Sequence, residues 1–451
     1  MVYTHTGEHF RYFSEALTTY NFMRLLLILL SMVFFAGCSP ISSTSSSAYK
    51  TLRLDNRTYE PNIKSVALFP ISSTTDINAA FLEPAVTVLN SSTQGLILEF
   101  DDLNPNYERY FAKIIHCNAD WTKSGLRDLE FLTDYNEFPL QDFAFSQNTR
   151  TAYVHYTYPV PRVNIPGNYV LTIYRDGNEN DLVLTHRFMV VQNKVSVGAS
   201  LERSLIPGQR ETMQRVTVDV DYSAMEIPNP MTQLKVVIRQ NRRWDQIATP
   251  SPTQIRQGQQ RMVYAPLDEQ LDFQGGNEFR WFETRNVNFA GQNVNNIVLS
   301  NDRVDAYLIP ERTRGGLAYG QIPDINGAYQ PRIQGDFGKV EGDYMYTNFL
   351  ILSDSLPGNV YVVGAFNSWR ADQYSRLKYD QKEKGYSGTI LLKQGWYNYQ
   401  YLYKGDPSNP WFLEGSHFAT ENIYEVMVYC RPLGSIQDQL IGYTQLRVNP
   451  F

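Results

Sequence analysis

Hydrophobic and polar residues alternate along the run from Val216 to Tyr222. Val216, Val218, Val220 and Tyr222 fall on one face, and Thr217, Asp219 and Asp221 on the other. A period of two with an acidic outer face predicts a strand of an antiparallel sheet packed on one side. Leu234, Val236 and Ile238 repeat the pattern, as do Tyr169, Leu171 and Ile173. Turn chemistry separates these runs: Asp176-Gly177 within RDGNEND predicts a hairpin, and Asp406-Pro407-Ser408-Asn409-Pro410 predicts a loop. No stretch sustains an apolar 3.6-residue period for the length of a helix, so the chain reads as all-β.

The amino-terminal segment departs from the alternation. Leu25 to Phe35 reads LLLILLSMVFF, too short for a bilayer span of roughly 20 residues but suited to the core of a signal peptide. Residues 1–37 are therefore read as a signal peptide. Met23 is an alternative start, because the stretch before it is long and carries Glu8 and Glu15. The small residues Ala36-Gly37 before Cys38 resemble the lipobox of bacterial lipoproteins, where that cysteine is acylated and becomes the mature N-terminus. Phe35 departs from the usual aliphatic residue, and the alternative is an ordinary secretory peptide with Cys38 unmodified. Residues 38–50 then read as a lipid anchor and a Ser-rich tether. The remainder divides into serial immunoglobulin-like β-sandwiches at 51–193, 195–310 and 339–451. The segment 311–338, with six Gly and two Pro, is a linker or a long extended connection.

Composition narrows the function. Forty basic against 46 acidic residues give a net charge of −6, which leaves no generic nucleic-acid footprint. The chain carries 31 Tyr, more than its 24 Phe and 6 Trp together, and this aromatic supply excludes disorder over most of its length. With Cys38 assigned to lipid, Cys117 and Cys430 remain and fall in different predicted domains. Cys430 alternates with Val426 and Val428, the position of a small buried hydrophobe. No Cys/His cluster has metal-ligand spacing, and no cofactor is expected.

Catalytic signatures are missing: there is no GxSxG elbow, HExxH, P-loop or dinucleotide fingerprint. His155 lies in a strand on the face opposite Val154 and Tyr156, where a solvated or hydrogen-bonded role is expected. His417, between Glu414 and Glu421, is the best acid/base candidate, but no nucleophile accompanies it, and a polar loop held by hydrogen bonds is the simpler reading. Asp101-Asp102, Asp302 with Asp305, and Glu341 with Asp343 could pair as carboxylates, yet each also suits ordinary strand-end or turn polarity. The chain is not expected to be an enzyme.

The C-terminal aromatics say more. GNVYVVGAFNSW ends in a turn presenting Phe366, Asn367 and Trp369, and KQGWYNYQYLY follows some thirty residues later. In the latter, Tyr397, Tyr399, Tyr401 and Tyr403 share a strand face beside Trp396, with Trp411 beyond. This order resembles the early-set sandwich modules that bind glycogen-like glucans, whose exposed Trp residues stack on sugar rings. Trp369, Trp396, Tyr397, Tyr399, Tyr401, Tyr403 and Trp411 are thus a candidate binding surface, for protein or for glucan. The alternative for the tyrosine face is a dry inter-sheet core, and for Trp369 simple packing.

Four blocks carry a wider likeness: SLIPGQRETMQRVTVDVDYS at Ser204–Ser223, NEFRWFETRNV at Asn277–Val287, VYVVGAFNSW at Val360–Trp369, and EGSHFATENIYEVMVYCRPLGSIQDQLIGY at Glu414–Tyr443. Together they resemble the plug protein family of the Bacteroidetes type IX secretion system, from about residue 55 to the C-terminus. The resemblance implies a non-catalytic partner of the SprA-type outer-membrane β-barrel translocon, occluding its periplasmic opening while no cargo is present. In lipoproteins of these bacteria an acidic cluster after the acylated cysteine marks surface export; none follows Cys38, so the expected location is the periplasmic face of the outer membrane, held by lipid. The alternative function is a carbohydrate-binding outer-membrane lipoprotein.

Overall fold

A computed structural model describes residues 50–72, 77–333, 339–406 and 411–450. The predicted signal peptide, Cys38 and the tether up to position 49 lie outside the described residues. The rest is all-β, built from five sheets that enclose three cores.

In the first sandwich one sheet runs in the order Arg57–Thr58, Leu182–Val191, Gly167–Arg175, Tyr110–Cys117, Phe138–Pro139, and Val86–Val88 lies parallel on Leu182–Val191. The facing sheet runs Ile63–Ser72, Gln94–Asp102, Val154–Pro159, Asp142–Phe145. Tyr169, Leu171 and Ile173 point into the core between them with Leu98, Phe100 and Tyr156. The predicted hairpin at Asp176-Gly177 forms. Both residues take positive φ, 52° and 73°, the bend that glycine tolerates and that suits the twist of the joined strands.

The second sandwich is closed by distant pieces of chain. One sheet runs Ser196–Arg203, Met213–Asp221, Arg261–Tyr264, Gln254–Arg256, and the other Ile247–Ala248, Leu234–Gln240, Asn422–Cys430, Gln439–Val448. Leu234 stands opposite Cys430 and Gln240 opposite Tyr424. Val216, Val218, Val220 and Tyr222 meet Leu234, Val236 and Ile238 inside, as their alternation predicts. Cys430 is buried in the same core, and Cys117 is buried elsewhere; both are free thiols.

The third body is a ten-stranded sheet whose main path runs from Arg280–Glu283 through Trp396–Lys404, Asn359–Val363, Arg376–Asp380, Gly385–Lys393 and Tyr344–Leu352 to Val304–Leu308 and Val294–Leu299. It curls until Phe282, on its first strand, meets Phe349, on its sixth, at 5.8 Å between ring centroids. The sheets cut across the boundaries drawn from composition. Strands between 280 and 308 belong to the third body, whereas Asn422–Val448 leaves it to complete the second. The Gly-rich 311–338 stretch is stitched to the third sheet at Glu311–Arg312 and Tyr329–Gln330. Ladder hydrogen bonds join backbones, so composition along the chain cannot say which remote segments pair.

The bodies are fused by dry contacts. Ile115, Val170, Met189 and Val191 on the outside of the first sandwich pack with Val237, Met427, Tyr429 and Leu440 of the second. The Gln192 N–H donates to the Leu440 carbonyl at 3.0 Å across this seam.

Candidate functional site

The strand Trp396–Lys404 lies between Arg280–Glu283 and Asn359–Val363, inside the curl of the third sheet. Its tyrosine face therefore points inward. Tyr397, Tyr399, Tyr401 and Tyr403 are between 1% and 5% exposed. Tyr397 stacks on Phe282 at 5.2 Å, and Tyr399 meets Phe349 edge-on at 5.2 Å. The phenols are satisfied internally: Tyr397 Oη donates to the Lys393 carbonyl at 2.6 Å, and Tyr399 Oη to Glu311 at 2.6 Å. Burial holds the pKa values of Tyr397, Tyr399 and Tyr401 well above the ordinary phenol value. The expected contact surface is thus corrected to core, because the curl of the sheet covers the face that the strand alone would leave open.

The tryptophans of that candidate surface do not form one platform. Trp396 is half-buried against Trp281 at 5.8 Å. Trp411 is half-buried and approaches Gly276. Trp369 packs on Phe279 at 5.5 Å. No ring contact joins the three among the described residues.

Trp369 does reach a different site. Where the three bodies meet there is a cavity of about 440 Å³, lined by all of them, including Phe69 and Arg187 from the first, Arg242 and Trp244 from the second, and Asn326 and Trp369 from the third. A second cavity of about 350 Å³ adjoins it and shares Val66, His186, Tyr329 and Arg370. Trp121 and Trp244 meet edge to face at 4.7 Å. Arg187 lies over both rings, at 4.4 and 5.2 Å, and Arg239 lies 4.0 Å from Trp244. Arg243 covers Trp369 at 4.2 Å. A guanidinium on an aromatic face keeps its charge while shedding water, so these stacks make a rigid wall of alternating rings and guanidiniums.

The backbone of this wall is bent at several points. Trp121, Asn241, Arg242, Asn326, Ser368 and Trp369 all line the cavity with φ between 47° and 65°. Left-handed backbone costs a non-glycine residue about 1–2 kcal/mol, and such residues collect at functional sites. The turn at 364–369 shows how one bend is held. Asn367 accepts from the Gly364 N–H at 3.0 Å and donates to the Val362 carbonyl at 3.0 Å, and the Trp369 N–H closes on the Gly364 carbonyl at 2.9 Å. Trp369 then lies against Gly327, where a Cβ would sit 2.6 Å from the indole.

Arg239 is neutralised by a bidentate pair with buried Glu425, at 2.7 and 2.8 Å. Burial pulls the Arg187 pKa down to about 10 and that of Arg242 below its ordinary value. Burial likewise takes His186 to about 4, with Arg187 and Arg239 adding repulsion, so the imidazole is neutral at pH 7. The sequence signal for this wall was the run Asn241-Arg242-Arg243-Trp244-Asp245 together with the turn before Trp369; nothing local announced Trp121 or Arg187 as their partners.

A second polar cluster sits between the first and third bodies. Asp101, fully buried, accepts from Lys393 at 2.8 Å and Tyr344 at 2.7 Å, and bonds His155 at 2.6 Å. Burial alone would raise the Asp101 pKa, but Lys393 and His155 hold it below the usual range. His155, expected on an open or merely hydrogen-bonded strand face, is 7% exposed because the third body covers that face. Asp102 accepts from Tyr110 at 2.8 Å, Asp305 pairs with Arg303, and Asp343 accepts the Arg150 and Thr151 N–H groups at 2.9 and 3.0 Å. These carboxylates are engaged as structural acceptors.

His417 is half-buried and its Nε2 has no partner among the described residues. Glu414 is spent on Arg280 and Arg314, and Glu421 pairs with Arg447. The imidazole and the carboxylates flanking it in sequence are not brought together. Among the described residues no group of His, Cys, Asp and Glu is placed to hold a metal ion, and no helix is long and apolar enough to cross a membrane.

Residues 63–192 match the family described as type 9 secretion system plug protein, first domain. That span is the two-sheet core of the first sandwich. The chain is also similar to a crystal structure of a hypothetical protein from Parabacteroides merdae ATCC 43184, with 28% identity and a TM-score of 0.81, covering 88% of this chain and 100% of that one. Trypsin-activated alpha-2-macroglobulin from Escherichia coli aligns over 87% of this chain and 24% of its own at 9% identity, with a TM-score of 0.16 that carries no argument. No curated protein matches.

Proposed function

We propose, from a chain whose residues 63–192 carry the first domain of the type IX secretion system plug family, that this protein is a non-catalytic, periplasm-facing component of that system and closes the periplasmic opening of the SprA-type translocon. The domain match is the observation that carries the reading. The build of the molecule supports it: an idle protein-sized pore needs a stopper that does not deform, and dry seams and a buried ion cluster fuse the three bodies. In this reading Cys38 is acylated and tethers the protein at the inner face of the outer membrane, raising its effective concentration at the pore.

With the tyrosine row buried, an aromatic patch on the matched domain takes its place as the proposed contact. Edge strand Asp142–Phe145 exposes Phe143 and Phe145, and Tyr107 packs on Phe143 at 4.4 Å. Exposed aromatics on a sheet edge offer both rigid apolar area and free backbone groups. The test is purification of the endogenous protein from solubilised outer membranes. It should bring down a very large β-barrel, and a Phe143→Ser/Phe145→Ser variant should lose that barrel while staying folded. A monomeric protein recovered alone would overturn the proposal.

A further inference from the structure

The cavity between the three bodies carries donors that the protein itself does not use. Arg242 has no hydrogen bond and no carboxylate within 4 Å among the described residues. The Arg187 side chain gives one hydrogen bond, to the Leu54 carbonyl at 2.7 Å, and has no ion pair among them. Trp121 is 7% exposed, and its indole N–H has no acceptor among the described residues. The other charges of the lining are accounted for. Arg239 is held by Glu425, Arg370 by Asp372 at 3.2 Å, Asp245 by Arg243 at 2.7 Å, and Asp55 by Arg57 at 2.7 Å. Glu83 is exposed and, with Glu425, acts on Arg242 through space without an ion pair among the described residues.

Unused buried donors cost free energy unless something accepts from them. Trp121 is such a buried donor, and it lines one space with the half-buried, positively charged Arg242 and Arg187. The remaining wall is apolar, with Phe69, Phe81, Met189 and Tyr329 beside the tryptophan rings. A volume of about 440 Å³ is that of a small-molecule site and too small for a folded partner. The left-handed turns at Arg242 and Trp369 are a separate observation pointing to the same place, since they hold these two side chains in the wall at a cost in backbone strain.

We propose that this cavity binds a small organic oxyanion, a carboxylate or phosphate group on an apolar body, with Arg242, Arg187 and the Trp121 N–H holding the oxyanion and the tryptophan rings holding the body. Because all three bodies line it, an occupant would bridge them and stiffen their junction. The site does not depend on the plug reading and would stand if that reading fell.

The full chain in mild detergent, titrated with benzoate, phenyl phosphate, benzyl alcohol and benzylamine, tests this by tryptophan fluorescence and thermal melting. Benzoate or phenyl phosphate should quench fluorescence saturably and raise Tm, and the tighter of the two identifies the oxyanion. Benzyl alcohol should bind at least tenfold more weakly, and benzylamine should not bind. Arg242→Gln should weaken the anion at least tenfold, and Trp121→Phe, which keeps the ring and removes the N–H, by three- to tenfold. Arg210→Gln, on the open surface, should change nothing. Absence of saturable binding by both anions, equal binding of benzyl alcohol, or affinity kept within twofold by both Arg242→Gln and Trp121→Phe would overturn the proposal.

Discussion

Replacing Lys393 by Met would remove the cation from the fully buried Asp101 while keeping most of the side-chain stem. Lys393 is 5% exposed; its ammonium sits 2.8 Å from Asp101, 2.8 Å from the Lys339 carbonyl, and 4.2 Å from the Tyr153 ring centroid. Removing one partner of a buried pair leaves the other charge in a medium that cannot solvate it, at about 3–5 kcal/mol. His155 and Tyr344 still bond the carboxylate, so the low end applies, and we expect a loss of about 3 kcal/mol at neutral pH, roughly two orders of magnitude in the folding equilibrium. The pH dependence carries a sign. In the native protein the Asp101 pKa is depressed, so its stabilisation is present above the ordinary carboxylate value and lost as pH falls. Without Lys393, burial dominates and raises that pKa, so stability is present at low pH and lost as pH rises. The penalty of Lys393→Met should therefore be larger at pH 8 than at pH 5. Urea unfolding followed by tryptophan fluorescence measures it, and adding Asp101→Asn should recover at least half of the loss. A penalty below about 1 kcal/mol, a flat pH dependence, or strict additivity of the two substitutions would refute the reasoning.

Four further outcomes follow from the same geometry. Tyr399→Ala should cost about 3–5 kcal/mol by cavity formation, and Tyr399→Phe about 1–2 kcal/mol through the lost bond to Glu311; a surface tyrosine would show neither in thermal melts. Gly275→Ala would set a Cβ 2.0 Å from the His417 carbonyl oxygen, backbone against backbone, and should lower stability by about 1–3 kcal/mol, whereas Gly208→Ala, with nothing within 4 Å, should stay within about 0.5 kcal/mol in the same melts. Burial takes both His116 and His186 to a pKa of about 4, so their neutral forms support the fold above the ordinary imidazole value, and that support is lost as pH falls toward 4. A His116→Gln/His186→Gln variant should show a smaller drop in urea midpoint over that window than the parent. Cys117, pushed up to about 12 by burial, and buried Cys430 should resist a thiol reagent at pH 8 in the native protein and react fully in urea.

The sequence by itself determined the all-β class and the inward positions of many strands. Val216, Val218, Val220, Leu234, Val236 and Ile238 all lie in one core because side chains alternate across a strand, a rule that acts within a few residues. The turn presenting Trp369 was legible as well, whereas nothing in the alternation singled out the Arg-Arg-Trp run at 242–244. Only the tertiary structure decided what those pieces face. Strand pairing is made by backbone groups that are the same at every residue, so nothing local tells Leu234–Gln240 that its neighbour is Asn422–Cys430. Tyrosine is ambiguous for a related reason: its ring suits a core, and its hydroxyl suits either water or a buried acceptor. Tyr397 finds its acceptor four residues away in the Lys393 carbonyl, but Tyr399 finds Glu311, on a strand paired with Tyr344–Leu352, which the curl of the third sheet brings to it.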